Sequence, residues 1–205
     1  VKEQINSIRT NQPIKLLEIG CGTGTFTKEI SKLNNIDFEA IDIVPEFVDR
    51  TKKDISNPNI KITIVDVEKM PYSSSTFDIT FGISVLHHLN LNLALREIYR
   101  VLKPRGKICF SEPNMLNPQI FFQKNIPFIK KIFGDSPDET AFMRWFLQSR
   151  LTKVGFKNIF IFPFDFLHPL TPSFLIRFVS TLGNILEKTP FVKEIAGSLF
   201  VIAQK

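Results

Sequence analysis

The sequence predicts an α/β fold built around a mainly parallel sheet, and three observations carry that expectation. Short apolar runs alternate with helix-length amphipathic stretches through the first half, the pattern of strand-helix units that feed parallel strands. A glycine-rich turn follows the first apolar run. The chain has 205 residues, 43% of them hydrophobic, which is enough for one domain with a sizeable core and too few for two ordinary ones. A single domain over residues 1–205 is therefore expected.

The elements are expected in the following order. Candidate strands are Lys15–Ile19, Phe38–Asp42, Ile60–Val65, Phe77–Gly82 and Gly106–Ser111. The helix after the fourth strand is the clearest, because Leu91, Ala94, Leu95, Ile98, Val101 and Leu102 fall on one face at helical spacing. Lys103-Pro104-Arg105-Gly106 then stops it and turns the chain into the fifth strand. From Glu112-Pro113-Asn114 to about Trp145, prolines punctuate aromatic and lysine-bearing runs, which predicts an insertion at about 112–145. A helix over Glu139–Val154, closed by Gly155, leads into a strand at Phe156–Phe162. Residues 163–197 form a second apolar, partly helical excursion before a last strand at Ser198–Ala203.

Composition excludes several classes of function. The net charge of +6 comes from 26 basic and 20 acidic residues without a long basic block, so no nucleic-acid arm is present. The basic residues are uneven: Lys124, Lys130 and Lys131 lie in a stretch from Met115 to Phe133 that holds no acid, and Arg144, Arg150, Lys153 and Lys157 repeat the pattern. Such a bias suits a solvated face, an anionic substrate or peripheral contact with a membrane surface. Cys21 and Cys109 lie far apart without metal-ligand spacing, so no metal site and no disulfide framework is expected, and a cytoplasmic location fits. No apolar run is long enough to cross a bilayer. Phenylalanine is abundant, with 21 copies, many of them after Phe110.

The chemistry-bearing segment is Leu16-Leu17-Glu18-Ile19-Gly20-Cys21-Gly22-Thr23-Gly24-Thr25, a strand running into a glycine turn and then a helix. Glycines there let backbone approach a ligand closely. A dinucleotide site needs G-x-G-x-x-G, but the third glycine position is Thr25 counting from Gly20, or Thr27 counting from Gly22. The chain instead reads acid-x-G-x-G-x-G from Glu18. Asp42 closes the second strand at the offset where nucleotide-binding units place a ribose-binding carboxylate, and Asp66-Val67-Glu68-Lys69-Met70-Pro71 follows the third.

In these motifs, in Phe77 to Leu89 and in Arg96 to Gly106, the chain resembles the class I S-adenosylmethionine-dependent methyltransferases, of the small-molecule type similar to those of ubiquinone and menaquinone biosynthesis. The resemblance spans about Lys15 to Glu112. It implies a Rossmann-like, seven-stranded, mainly parallel sheet with helices on both faces and an antiparallel pair formed by the last two strands. It also implies S-adenosyl-L-methionine as cofactor, held by Glu18, Gly20, Cys21, Gly22 and Gly24, by Asp42 and Ile43 at the ribose, by Asp66 and Val67 at the adenine, and by Gly82, Ile83 and His87 beside the methionine. Ile83 stands where many relatives carry a small or polar residue, so its contact would run through backbone. No signature in the second half names an acceptor.

The expected activity is methyl transfer to a small molecule, hydrophobic or amphiphilic because both insertions are rich in Phe, Ile and Leu; the same residues equally suit an oligomer interface or a lid core, and a sugar or other polar metabolite is the chemical alternative. If a base assists, the candidates by chemical type are His88, Glu112 and His168. Each also has a plain structural role open to it: capping or packing for His88, holding turn amides for Glu112, shaping a loop for His168. A binding protein that keeps the cofactor pocket without turnover, and a nucleic-acid methyltransferase, are the competing classes. The second of these lacks an Asn-Pro-Pro-Tyr-like acceptor motif after the fourth strand.

Overall fold

The structure is a computed structural model that describes residues 1–6, 12–55, 57, 59–136, 139–167 and 171–205. In chain order its elements are α1 (Lys2–Asn6), β1 (Ile14–Ile19), α2 (Thr25–Ile30), β2 (Ile36–Asp42), α3 (Pro45–Asp54), β3 (Ile60–Ile64), β4 (Phe77–Ile83), α4 (Leu91–Val101) and β5 (Leu102–Pro113). They continue with α5 (Pro118–Asn125), α6 (Pro127–Phe133), α7 (Arg144–Val154), β6 (Lys157–Phe164), α8 (Ile176–Leu186) and β7 (Ser198–Gln204). Short 3-10 turns lie at Val67–Lys69, Leu86–His88, Ser173–Leu175 and Val192–Ile195.

The seven strands form one sheet in the order β3-β2-β1-β4-β5-β7-β6. β1 to β5 run parallel, and β7 lies antiparallel between β5 and β6. Strand order reverses between β1 and β4, which pair from Leu16↔Ile79 to Ile19↔Gly82. At such a reversal open α/β sheets place their ligands, beyond the carboxyl ends of the strands, here those of β1 and β4.

Both faces of the sheet are covered, which is why its central strands read as nearly unbroken apolar runs. On one face Leu17, Ile19 and Phe110 pack with Leu95 and Ile98 of α4 and Leu147 and Leu151 of α7. On the other, Leu16, Phe38 and Phe81 pack with Ile30 and Val48 from α2 and α3. Leu95 and Ile98 are fully buried, and each such side chain contributes about 1.5–3 kcal/mol by leaving water. α4 starts at Asn90, whose side chain accepts from the Leu93 amide while its own amide donates to Glu68.

The predicted strands all form, with ends shifted by up to four residues. The fifth is the most extended, beginning at Leu102 because that residue leaves the helix and pairs with Phe77. The expected helix from Glu139 begins only at Arg144. Phe142 donates its amide to Pro113 O and accepts from the Met115 amide, which holds 142 extended beside 114. Gly155 does end α7, at φ 115°, with its amide on Leu151 O and Thr152 O. The prolines of the first insertion open helices: Pro118 and Pro127 stand in the first turns of α5 and α6, where a missing amide hydrogen costs nothing.

Candidate active site

The turn after β1 is stitched to the end of β2. Gly20 and Cys21 donate their amides to Ile41 O, at 2.8 and 3.0 Å. Asp42, 8% exposed, accepts from the Gly22 amide at 2.8 Å and from the Val44 amide at 3.0 Å, and the Thr51 hydroxyl donates to Gly22 O. Gly22 has φ 51°, and a Cβ added there would meet no protein atom within 4 Å, so it borders open space. At Gly20 and Gly24 the same atom would strike Val85 and Thr51, at 2.6 and 2.7 Å, so those two glycines answer to packing as well. α2 has only six residues, so its dipole is short and the cradle is mainly the turn itself.

Glu18 lies beneath this cradle, 3% exposed, between Ala40 and Phe81 of the flanking strands. Its Oε2 has no hydrogen-bond partner among the described residues. Burial pushes its carboxyl up to about 8, with the nearby Thr27 hydroxyl opposing the shift and Asp42 adding to it. The proton is therefore held in the folded chain and lost in the unfolded one between pH 4.5 and about 8, so stability falls as pH rises through that window. Glu18→Gln should flatten this dependence in thermal denaturation from pH 5 to 9; an unchanged slope would show that Glu18 ionises freely. Cys21 is also buried, and its thiol is pushed up to about 12, first by burial and then by Asp42 and Glu18, so it is no nucleophile.

Asp66 is exposed at the end of β3 and accepts from the Glu68 amide at 2.8 Å, while Val67 is buried. The loop behind it is fixed from α4: Glu97 accepts from the Met70 amide, and Arg100 bonds Glu97 and the carbonyls of Met70 and Tyr72. Ile43, 60% exposed next to Asp42, leaves an apolar surface on the same rim.

At the end of β4, Gly82 is required by packing, since a Cβ there would meet Ile19 O and Phe110, each at 2.8 Å. Ile83 follows it at the strand end, then Ser84 at φ 52° and the turn Leu86–His88. Glu112, 1% exposed at the end of β5, holds that turn. Its carboxylate accepts from the amides of Val85, Leu86 and His87, at 3.1, 2.8 and 3.4 Å, and lies 2.7 Å from His87 Nδ1. With its acceptor capacity spent, Glu112 orients other groups and is not a free base.

His87 is 7% exposed and lines a cavity of about 370 Å³ with Ser84, Pro113, Ile120, Lys124 and Phe166 among its walls. His88 does not line it. Burial holds the His88 ring below its ordinary range, with His87 adding to the effect and Glu139 opposing it. His168 lies outside the described residues.

Two groups escaped the sequence reading. Lys124, 9% exposed, pairs with Asp135 at 3.0 Å and with Glu139. It looked unopposed because its acids lie just beyond the stretch that ends at Phe133. Arg144 likewise meets Glu194, at 3.3 Å, across fifty residues of sequence. Glu139 also approaches both rings, 3.6 Å from His87 Nε2 and 3.6 Å from His88 Nδ1. The two histidines thus gain the third donor they lack in sequence, but the Lys124 ammonium already neutralises it.

A Rossmann-like sheet with a glycine cradle, an acid at the end of β2 and a cavity lined by Ser84 and His87 beyond the end of β4 together point to a nucleotide-cofactor enzyme. Residues 17–110 match the family described as a methyltransferase domain. A methyltransferase-like protein of Schizosaccharomyces pombe is 28% identical over 180 residues, covering 87% of this chain and 68% of its own length. The demethylmenaquinone methyltransferase of Lactobacillus johnsonii is 29% identical over 169 residues, covering 71% and 68%. The crystal structure of a SAM dependent methyltransferase from Archaeoglobus fulgidus superposes with a TM-score of 0.67 at 17% identity, over 100% of this chain and 90% of that one. These similarities support a class I S-adenosylmethionine-dependent methyltransferase, the solved structure through its fold alone.

The residues fit that cofactor on their own terms. Gly22 faces open space, Glu18 keeps a buried oxygen without a partner among the described residues, and acids stand at the end of β2 and just after β3.

Proposed function

We propose that the chain methylates a small, largely apolar molecule bound in the cavity beside His87. The carrying observation is that cavity, in which Pro113, Ile120, Phe166 and Leu167 supply apolar wall among polar groups from Ser84, His87, Asn117, Gln123, Lys124 and Asp165. A relative that acts on a demethylmenaquinone supports the same reading.

S-adenosylmethionine supplies an electrophilic methyl group on a positively charged sulfur. Glu18 and the turn from Gly20 through Cys21 and Gly22 to Gly24 bind it, with Asp42 and Ile43 at the ribose, Asp66 and Val67 at the adenine, and Gly82, Ile83 and His87 along the methionine side. The residues of the cavity hold the acceptor atom in line and exclude water, which accounts for most of what the protein must do. His87 serves the proton that leaves the acceptor. Glu112 holds its Nδ1 side at 2.7 Å and fixes the ring, while Nε2, 3.6 Å from Glu139, is the nitrogen left to take a proton. His88 lies outside the cavity wall, so it is not assigned this step.

Labelled cofactor incubated with lipid-soluble and polar extracts should label the lipid-soluble fraction. His87→Gln should slow that transfer by about 10²–10⁴-fold and remove the acid limb of its pH profile. Label confined to polar metabolites would overturn the apolar acceptor, and an unaltered pH profile would overturn His87 as the base.

A further inference from the structure

We infer that the two excursions flanking the cavity form a docking surface for an anionic lipid bilayer. Fourteen of the twenty-three large apolar side chains exposed among the described residues lie in 118–133 and 173–195. α6 buries none of its residues, with Phe128 72% and Ile132 64% exposed. α8 buries only Gly183, and around it Phe174, Phe178 and Ile185 are 81%, 67% and 59% exposed. Scattered exposed apolar residues are ordinary; a concentration of this kind within two segments that meet at the cavity marks an interaction surface.

The two segments are joined at the rim of the cavity, through the start of α5 and the turn at Val192–Ile195. Asn117, capping α5, donates to Ile195 O at 2.8 Å, and buried Asn114 donates to Glu194 O and Ala196 O. Ile120 and Lys124 of α5 and Phe166 and Leu167 ahead of α8 line the cavity itself. A surface seated here places the cavity mouth against whatever it binds.

Charge identifies the partner. The acids of the region are engaged internally: Asp135 with Lys124, Glu187 with the Asp165 amide, and Glu194 with Arg144. Lys131, Arg177, Lys188 and Lys193 carry no ion pair among the described residues. A surface that is apolar and cationic together suits lipid tails and anionic head groups. A second copy fits poorly, because a two-fold contact would set these cations against themselves. At seven and eleven residues, α6 and α8 are too short to span a bilayer and would lie in its interface. The inference deepens the acceptor reading, since an apolar acceptor would enter from the bilayer, but its test needs no turnover, so the two fail separately.

The test is sedimentation of the full chain with vesicles of phosphatidylcholine, with and without phosphatidylserine, at low and high salt. Binding to the anionic vesicles that weakens with salt is expected. Phe128→Glu with Phe174→Glu should lower partitioning at least tenfold, and Lys131→Glu with Arg177→Glu about tenfold on anionic vesicles alone. All four side chains are exposed, so circular dichroism and S-adenosylmethionine affinity should match the unaltered chain. Absence of binding to anionic vesicles, binding indifferent to the variants, or a dimer that the phenylalanine variants dissolve would each overturn the inference.

Discussion

Gly22→Val is expected to lower S-adenosylmethionine affinity more than a hundredfold, measured by titration calorimetry, while leaving the chain folded. A side chain at Gly22 meets no protein atom within 4 Å, so what it fills is the space assigned to the cofactor. The cost to folding is confined to placing a β-branched residue at φ 51°, on the order of 1–3 kcal/mol. Asp42→Ala should be milder, about 1–3 kcal/mol of affinity, on the scale of a lost charge-assisted hydrogen bond and its unpaired partners. Part of that loss is indirect, because Asp42 also holds the amides of Gly22 and Val44. Unchanged affinity in both variants would mean that the cofactor sits elsewhere.

Glu112→Ala should cost about 3–5 kcal/mol of stability, the range for removing one partner of a buried, hydrogen-bonded pair. Three backbone amides and the His87 ring lose their acceptor at once, in a position that water does not reach. Thermal denaturation should show a fall in Tm of about 10 °C. Glu112→Gln keeps the shape and one acceptor oxygen, so it should lose less stability yet still slow methyl transfer by releasing the His87 ring. A Tm within 2 °C of the unaltered chain for the alanine variant would show that the turn holds itself without Glu112.

The elements that were legible are those whose signals are local. Alternation of apolar runs with amphipathic stretches, Gly155 at a helix end and the glycine turn after Leu17 each depend on neighbours within a few residues, and each recurs in the structure. The start of α7 was misjudged because the competing interaction, the bridge between Asn114 and Phe142, joins residues 28 apart. The same limit left the choice between roles open for Glu112, for which holding turn amides and acting as a base were both expected. Only the folded register shows His87, rather than His88, lining the cavity and Glu112 saturated by the turn beside it. Lys124 was misread for a narrower reason, since its two carboxylates lie outside the stretch in which its charge was weighed.

The position of β7 bears on how the chain is made. The segment 198–204 supplies both the neighbour of β5 and the neighbour of β6. During synthesis the cofactor-binding side can therefore assemble from β1 to β5 well before the sheet is complete. Until residue 204 has emerged, β5 presents an unpaired edge and β6 has no strand to join. Open edges of that kind recruit other chains, so nascent or C-terminally shortened forms should depend on chaperones more than the finished protein does.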